Sequence, residues 1–96
     1  MPVLIVSRVS IKDAEAMASY MEAAPETVAA YGGNYLARTP QIEVLEGAAD
    51  YDRMVVVEFP DRTRALAWYE SEEYRDLRQS RWNAAEAHIV VIPTEQ

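Results

Sequence analysis

Ninety-six residues, half of them hydrophobic and 26% charged, make one globular domain with a modest core. The formal charge of −7 excludes the basic footprint that nucleic acids and anionic membrane surfaces require. With no cysteine, disulfides and thiolate chemistry are excluded as well; a single histidine argues against a transition-metal site, and no cofactor is implied.

The opening "MPVLIVSRVS" holds an apolar run too short for a membrane span and lacks the basic flank of a signal peptide, which points to the cytoplasm. "VLIVSRV" (3–9) is apolar at both parities and reads as a central strand buried on two faces. Asp13 is placed to cap a helix on which Met17, Tyr20, Met21, Ala24, Val28 and Tyr31 recur at helical spacing. Pro25 lacks an amide hydrogen and is expected to kink or divide that helix. The glycine pair 32–33 stops it.

"NYLART" (34–39) reads as a strand broken by Pro40, "IEVLEG" (42–47) as a second short strand, and "AADYD" (48–52) as a turn. "RMVVVEF" (53–59) is the strongest strand pattern. Pro60 ends it and Asp61 caps a further helix. Ser71 interrupts that helix and caps another, with Glu72 and Glu73 in its first turn. "HIVVIP" (88–93) is a last strand.

The order β-α-β-β-α-β is that of the α+β ferredoxin-like sandwich, with helices, here split, on one face of a four-stranded sheet. Three strands are apolar at both parities, and the chain has no second layer to cover the far face. A second copy of the chain is the economical cover, the two sheets closing into a dimeric α+β barrel.

Polar residues inside apolar strands are the informative ones. With strands one and three taken as parallel neighbours, Arg8, Glu58, His88 and Tyr35 converge on one end of the sheet. That set suits a pocket with a general base, Glu58 or His88, and an anion-positioning arginine. The same residues also suit a self-satisfied Arg8–Glu58 pair beside an exposed histidine. Arg38 shares the parity of Leu36 and forms a second set with Glu46, either for a ligand or for a salt bridge between subunits.

In "WYESEEYRDLRQSRW" (68–82), Ala65, Trp68 and Tyr69 form an ordinary core stripe, with the Tyr69 hydroxyl free to reach a polar partner. Tyr74, Leu77, Arg81 and Ala85 share a face with Arg81 at its centre. A guanidinium there requires a carboxylate, Glu58 first, or a cleft holding an anion. No phosphate-binding glycine loop, nucleophile elbow or calcium loop is present.

The segments "YGGNYLAR", "VLEG" and "VVVEFPDRTRALAWYESEEY", followed by an arginine and "AAEAHIVVI", resemble the bacterial domain-of-unknown-function family 1330 over nearly the whole chain. The resemblance implies the dimeric α+β-barrel superfamily, which includes cofactor-free monooxygenases, muconolactone isomerases, haem-degrading enzymes and stress-response proteins. It implies no particular reaction. Its pattern falls on Tyr20, Gly32, Gly33, Arg38, Glu46, Gly47, Glu58, Phe59, Pro60, Trp68, Tyr69, Ser71, Tyr74 and Arg81. "TPQ" replaces a glycine pair after Arg38, which alters the hairpin arm carrying Glu46, and His88 is not a strong part of the pattern.

The expectation is a homodimer binding a small carboxylate-bearing or aromatic metabolite, with proton transfer or cofactor-free oxygenation as the catalytic version. Arg38 or Arg81 would hold the anion, with Arg8 and Tyr35 at the sheet end. Tyr20, Trp68, Tyr69 and Tyr74 would wall the pocket, and Glu58 would be the base. The alternatives are a non-catalytic module for a ligand or partner, and a purely structural dimer.

Overall fold

The computed structural model describes residues 1–48 and 50–95. Its elements are β1 (Val3–Ile11), α1 (Ala14–Ala30), β2 (Asn34–Thr39), β3 (Arg53–Phe59), α2 (Arg62–Tyr69), α3 (Glu72–Ala84) and β4 (Ala85–Pro93). The three helix starts follow local chemistry. Asp13, Asp61 and Ser71 hold extended backbone conformations, and their side chains accept from the amides of Ala16, Arg64 and Tyr74. At the end of α1, Gly32 takes the left-handed conformation at φ 82°. Gly33 is small for a different reason: an added Cβ would lie 2.6 Å from Val28 Cγ1 and 2.8 Å from the Phe59 ring.

The four strands form one sheet in the order β2-β3-β1-β4, with every neighbouring pair antiparallel. Its helix-side face carries Val3, Ile5 and Val9 of β1 and Val57 and Phe59 of β3, all buried. Trp68, Tyr74, Val28 and Ala65 from the helices close the main core on them. A smaller cluster of Val9, Met17, Ala84 and Ala85 seals the end where α3 passes into β4.

Several expectations are corrected. The sheet is open, with β2 and β4 as its two edges, and is not closed into a barrel. β2 and β4 do not pair with each other, so the ladder that closure requires is missing. The fold is an α+β sandwich of split-helix ferredoxin-like topology. β1 and β3 are antiparallel, not parallel: β2 runs in the same direction as β1 after the α1 crossover, and β3 runs against both.

α1 is continuous through Pro25. The missing amide costs one hydrogen bond, to the Met21 carbonyl, while Ala24, Thr27 and Val28 are buried on either side of the proline and hold the helix in place. Residues 42–47 form no strand, since no strand lies alongside to complete a ladder, and Leu45 is fully in solvent. The turn expected at 48–52 falls partly outside the described residues. β4 begins at Ala85, three residues before the expected start, so Ala85 belongs to the sheet rather than to α3.

The far face carries Leu4, Val6, Met54, Val56, Val90 and Ile92. Val6 pairs with both Val56 and Val90, giving an apolar row across three strands. Val90 and Ile92 are exposed. Among the described residues, no helix is long and apolar enough to cross a membrane.

Candidate functional site

The regular alternation of the strands divides the candidate residues between two faces. Arg8 is paired with His88 on β4 and with Met54 on β3, on the face away from the helices. Glu58 is on the same face but opposite Leu4, four residues along β1 from Arg8, or about 13 Å at strand spacing. The expected convergence therefore fails: antiparallel pairing carries Glu58 to the other end of the sheet. Tyr35 sits at Glu58's end but faces the helices, opposite Val57.

Arg8 lies 5.7 Å from the Tyr51 ring centroid. His88 is largely exposed, with Nε2 3.8 Å from Glu86 Oε1. These two line an outer groove with Ser10, Asp50, Tyr51 and Glu86. Glu46 is exposed.

A cavity of about 50 Å³ lies between the sheet and the helices. That is room for a few water molecules. Its walls are mostly apolar: Ile5 and Val9 of β1, Val55 and Val57 of β3, Met17, Met21, Ala24 and Val28 of α1, Trp68 of α2 and Ile89 of β4. Into this lining project Tyr20 from α1, Tyr35 and Arg38 from β2, Arg53 from β3, Tyr74 and Arg81 from α3, and Ser7 from β1. Among the described residues, the cavity lining thus carries three guanidiniums and no carboxylate, in a chain whose net charge is −7.

Arg81 is the best-defined member. It is 4% exposed, and its Nε and Nη2 are buried without a hydrogen-bond partner among the described residues. No carboxylate among them is within ion-pair distance; the ion pairs they form are Arg78–Glu70 and His88–Glu86. Its guanidinium carbon lies 5.9 Å from the Tyr20 ring centroid. The Tyr20 and Tyr74 hydroxyls hydrogen-bond each other across the α1–α3 interface. Burial, then the neighbouring Tyr74, pushes the Tyr20 phenol well above the usual tyrosine range, so it is a neutral donor and acceptor. Burial also raises Tyr35, opposed by the adjacent Arg38.

Arg38 reaches this cavity because of a local irregularity in β2. Tyr35 pairs with Val57, Ala37 with Val56 and Arg38 with Val55, leaving Leu36 as the extra residue of a β-bulge. The bulge turns Arg38 to the face of Tyr35, and its guanidinium carbon lies 4.6 Å from that ring's centroid. Strict alternation instead groups Arg38 with Leu36.

Trp68 is buried against the same cavity, and its indole N–H donates to Thr27 Oγ1 at 3.0 Å. Tyr69 is not in the lining itself: its ring packs on Trp68 and Tyr74, with centroids 6.2 and 6.0 Å away, and also faces a groove beside β4 with Leu66, Val90 and Val91. Its carbonyl accepts from Arg78 Nη1 at 2.9 Å.

Sequence reasoning missed Arg53 and Ser7. Both carried a signal in their parity: Arg53 alternates with Val55, Val57 and Phe59, and Ser7 with Val3, Ile5 and Val9, all on the helix-side face. Arg53 Nε is also buried and without a hydrogen-bond partner among the described residues. Among those residues, no group of histidine and acidic side chains is arranged to hold a metal ion.

Solved structures share this fold at low sequence identity. A protein of unknown function from Rhodopseudomonas palustris has 19% identity and a TM-score of 0.80, over 99% of this chain and 84% of its own. A cofactor-independent oxygenase from Streptomyces nogalater has 11% identity and a TM-score of 0.74, covering 99% and 94%. A dimeric ferredoxin-like protein of unknown function from Thermobifida fusca has 16% identity and a TM-score of 0.73, covering 98% and 92%. At such identities the likeness is one of fold. Among curated proteins, none matches the chain. The family described as "Domain of unknown function (DUF1330)" matches residues 2–94, nearly the full sequence, and the chain belongs to that family.

Proposed function

We propose that the protein binds a small, largely apolar or aromatic molecule bearing a carboxylate, with Arg81 holding the carboxylate in the cavity and the cavity widening from about 50 Å³ to take the rest. The observation that carries this is the buried Arg81 fork. Nε and Nη2 lie on one edge of the planar guanidinium and match the two oxygens of a carboxylate. A guanidinium buried without an anion is costly, which favours an external partner. Tyr20 and Tyr74 add a neutral hydroxyl pair beside it, and Trp68, Met17 and Val57 supply apolar walls.

The catalytic version of this reading, cofactor-free oxygenation, is supported by the fold shared with the Streptomyces nogalater oxygenase. Glu58 and His88 do not serve it as bases, because both lie on the far face of the sheet. A second copy of the chain, seated on the apolar row Val6–Val56–Val90, is supported by the exposure of Val90 and by the dimeric ferredoxin-like relative.

Arg81→Met tests the site. Aromatic carboxylates such as benzoate are expected to raise the melting temperature of the wild type, while benzamide does not. The variant is expected to lose that shift. Its unliganded form should be unchanged or more stable, by about 1–4 kcal/mol, because an unpaired buried charge is replaced by a packed apolar chain. Benzamide stabilising as well as benzoate would overturn the reading.

A further inference from the structure

One carboxylate at Arg81 leaves the cavity's other guanidiniums without an anion. Arg53 enters from the sheet, on a different element from Arg81, and its Nε is buried with no hydrogen-bond partner among the described residues. Arg53 pairs with Val9, and Val9 packs in the cluster that also contains Ala84, one helical turn beyond Arg81. Arg38 pairs with Val55, two residues from Arg53 on the same strand and the same face. Arg53 and Arg81 therefore lie toward the end of the cavity where α3 meets β4, and Arg38 lies on the opposite, β2 edge of the sheet, while Ile5, Val28, Val57 and Trp68 make much of the remainder apolar.

Resting on the carboxylate reading above, we infer that the ligand carries two acidic groups, and that Arg53 is the residue that reads the second. Three observations support a dianion over a monoanion. Two of the cavity's arginines, on facing layers, each have a buried donor without a partner among the described residues. No carboxylate in the cavity wall offsets either of them. A single carboxylate engaged side-on by the Arg81 edge supplies one negative charge, so the Arg53 guanidinium has no counter-charge of its own in the cavity lining. Arg38, exposed at the sheet edge and stacked on Tyr35, is placed to meet the incoming anion at the mouth. Flat walls of Tyr20, Tyr35, Trp68 and Tyr74 favour a planar spacer between the two acids.

The test is isothermal titration of the intact protein with benzoate, its three benzenedicarboxylate isomers (phthalate, isophthalate and terephthalate) and benzamide. At least one dicarboxylate is expected to bind about tenfold or more tighter than benzoate, a factor within the range of one charge-assisted hydrogen bond. Arg53→Met is expected to bring that ratio close to one, and Arg53→Lys, which keeps the charge but not the Nε–H, to restore only part of it. Arg81→Met should weaken benzoate and dicarboxylate alike.

If benzoate binds and no dicarboxylate binds tighter, or if the preference survives in Arg53→Met, the two-acid inference is overturned and the carboxylate site stands. Should benzamide match benzoate, or none of the acids bind, both fall together. Circular dichroism of each variant separates lost binding from lost folding. The lysine variant carries the test if the methionine one does not fold, with a fully retained preference counting against the inference.

Discussion

Tyr35 and Arg38 are three residues apart in sequence yet face the same side of the sheet, because they pair with Val57 and Val55, two residues apart on β3. The single extra residue, Leu36, makes the difference. A bulge on an edge strand is inexpensive, since only one side of the strand carries a ladder. Here it brings a phenol and a guanidinium together at the cavity wall.

Deleting Leu36 should therefore be tolerated. The residues on either side already pair with consecutive positions of β3, so the deletion removes the bulge and leaves Arg38 opposite Val55. The expected result is a folded protein with stability changed by less than about 1 kcal/mol, and with benzoate-induced stabilisation retained. Loss of the benzoate shift in a folded deletion variant would show that the bulge itself shapes the site.

The Tyr20 phenol predicts an alkaline limit. Its folded pKa is raised above the unfolded value of about 10. Above that pH the unfolded chain releases this proton while the folded chain retains it, so stability present below pH 10 declines as pH rises. The decline approaches about 1.4 kcal/mol per pH unit from this one group. Tyr20→Phe should flatten the curve between about pH 10 and 11.5, with the remaining slope due to other tyrosines. Urea unfolding across that range checks this, and an unchanged slope in the variant would count against a buried, neutral Tyr20.

Gly33→Ala should cost about 1–3 kcal/mol, although the position adopts an ordinary backbone conformation. The new methyl would meet Val28 and the fully buried Phe59 ring at less than van der Waals distance, so one of these packed side chains would have to shift. At 96 residues this corresponds to a drop in melting temperature of roughly 4–8 °C per kcal/mol. A drop in Gly33→Ala no larger than that of an exposed control such as Ala23→Ser would refute the packing account.

Val56→Asp separates assembly from folding. Val56 pairs with Val6 on the face away from the helices, so the charge enters the far-face row and not the core. The variant is expected to remain folded but to sediment as a monomer at micromolar concentration, where the wild type is expected to sediment as a dimer. A wild type that is itself monomeric there would remove the second copy from the proposal.

The features legible in the residues alone are local. The caps at Asp13, Asp61 and Ser71 and the glycine stop at Gly32 each depend on groups within a few residues, and all are present. The inward position of Arg81 follows from its spacing to Tyr74 and Leu77 on one helix, a periodicity that needs no tertiary information. Strand existence was legible at 3–9 and 53–59 because β-branched runs admit few other structures.

Relations between elements, by contrast, are set by how the whole chain packs. Whether β3 runs with or against β1 depends on the path of α1 and β2, and that direction placed Glu58 four residues away from Arg8 instead of beside it. Which side of β2 Arg38 occupies depends on a bulge defined by its partner strand. Whether Pro25 breaks a helix depends on how firmly Ala24, Thr27 and Val28 are packed by other elements. A strand at 42–47 failed for want of a neighbour, since an extended segment persists only where another strand takes its hydrogen bonds. The cavity itself, three arginines from β2, β3 and α3 around a space with no carboxylate, exists only once those elements meet.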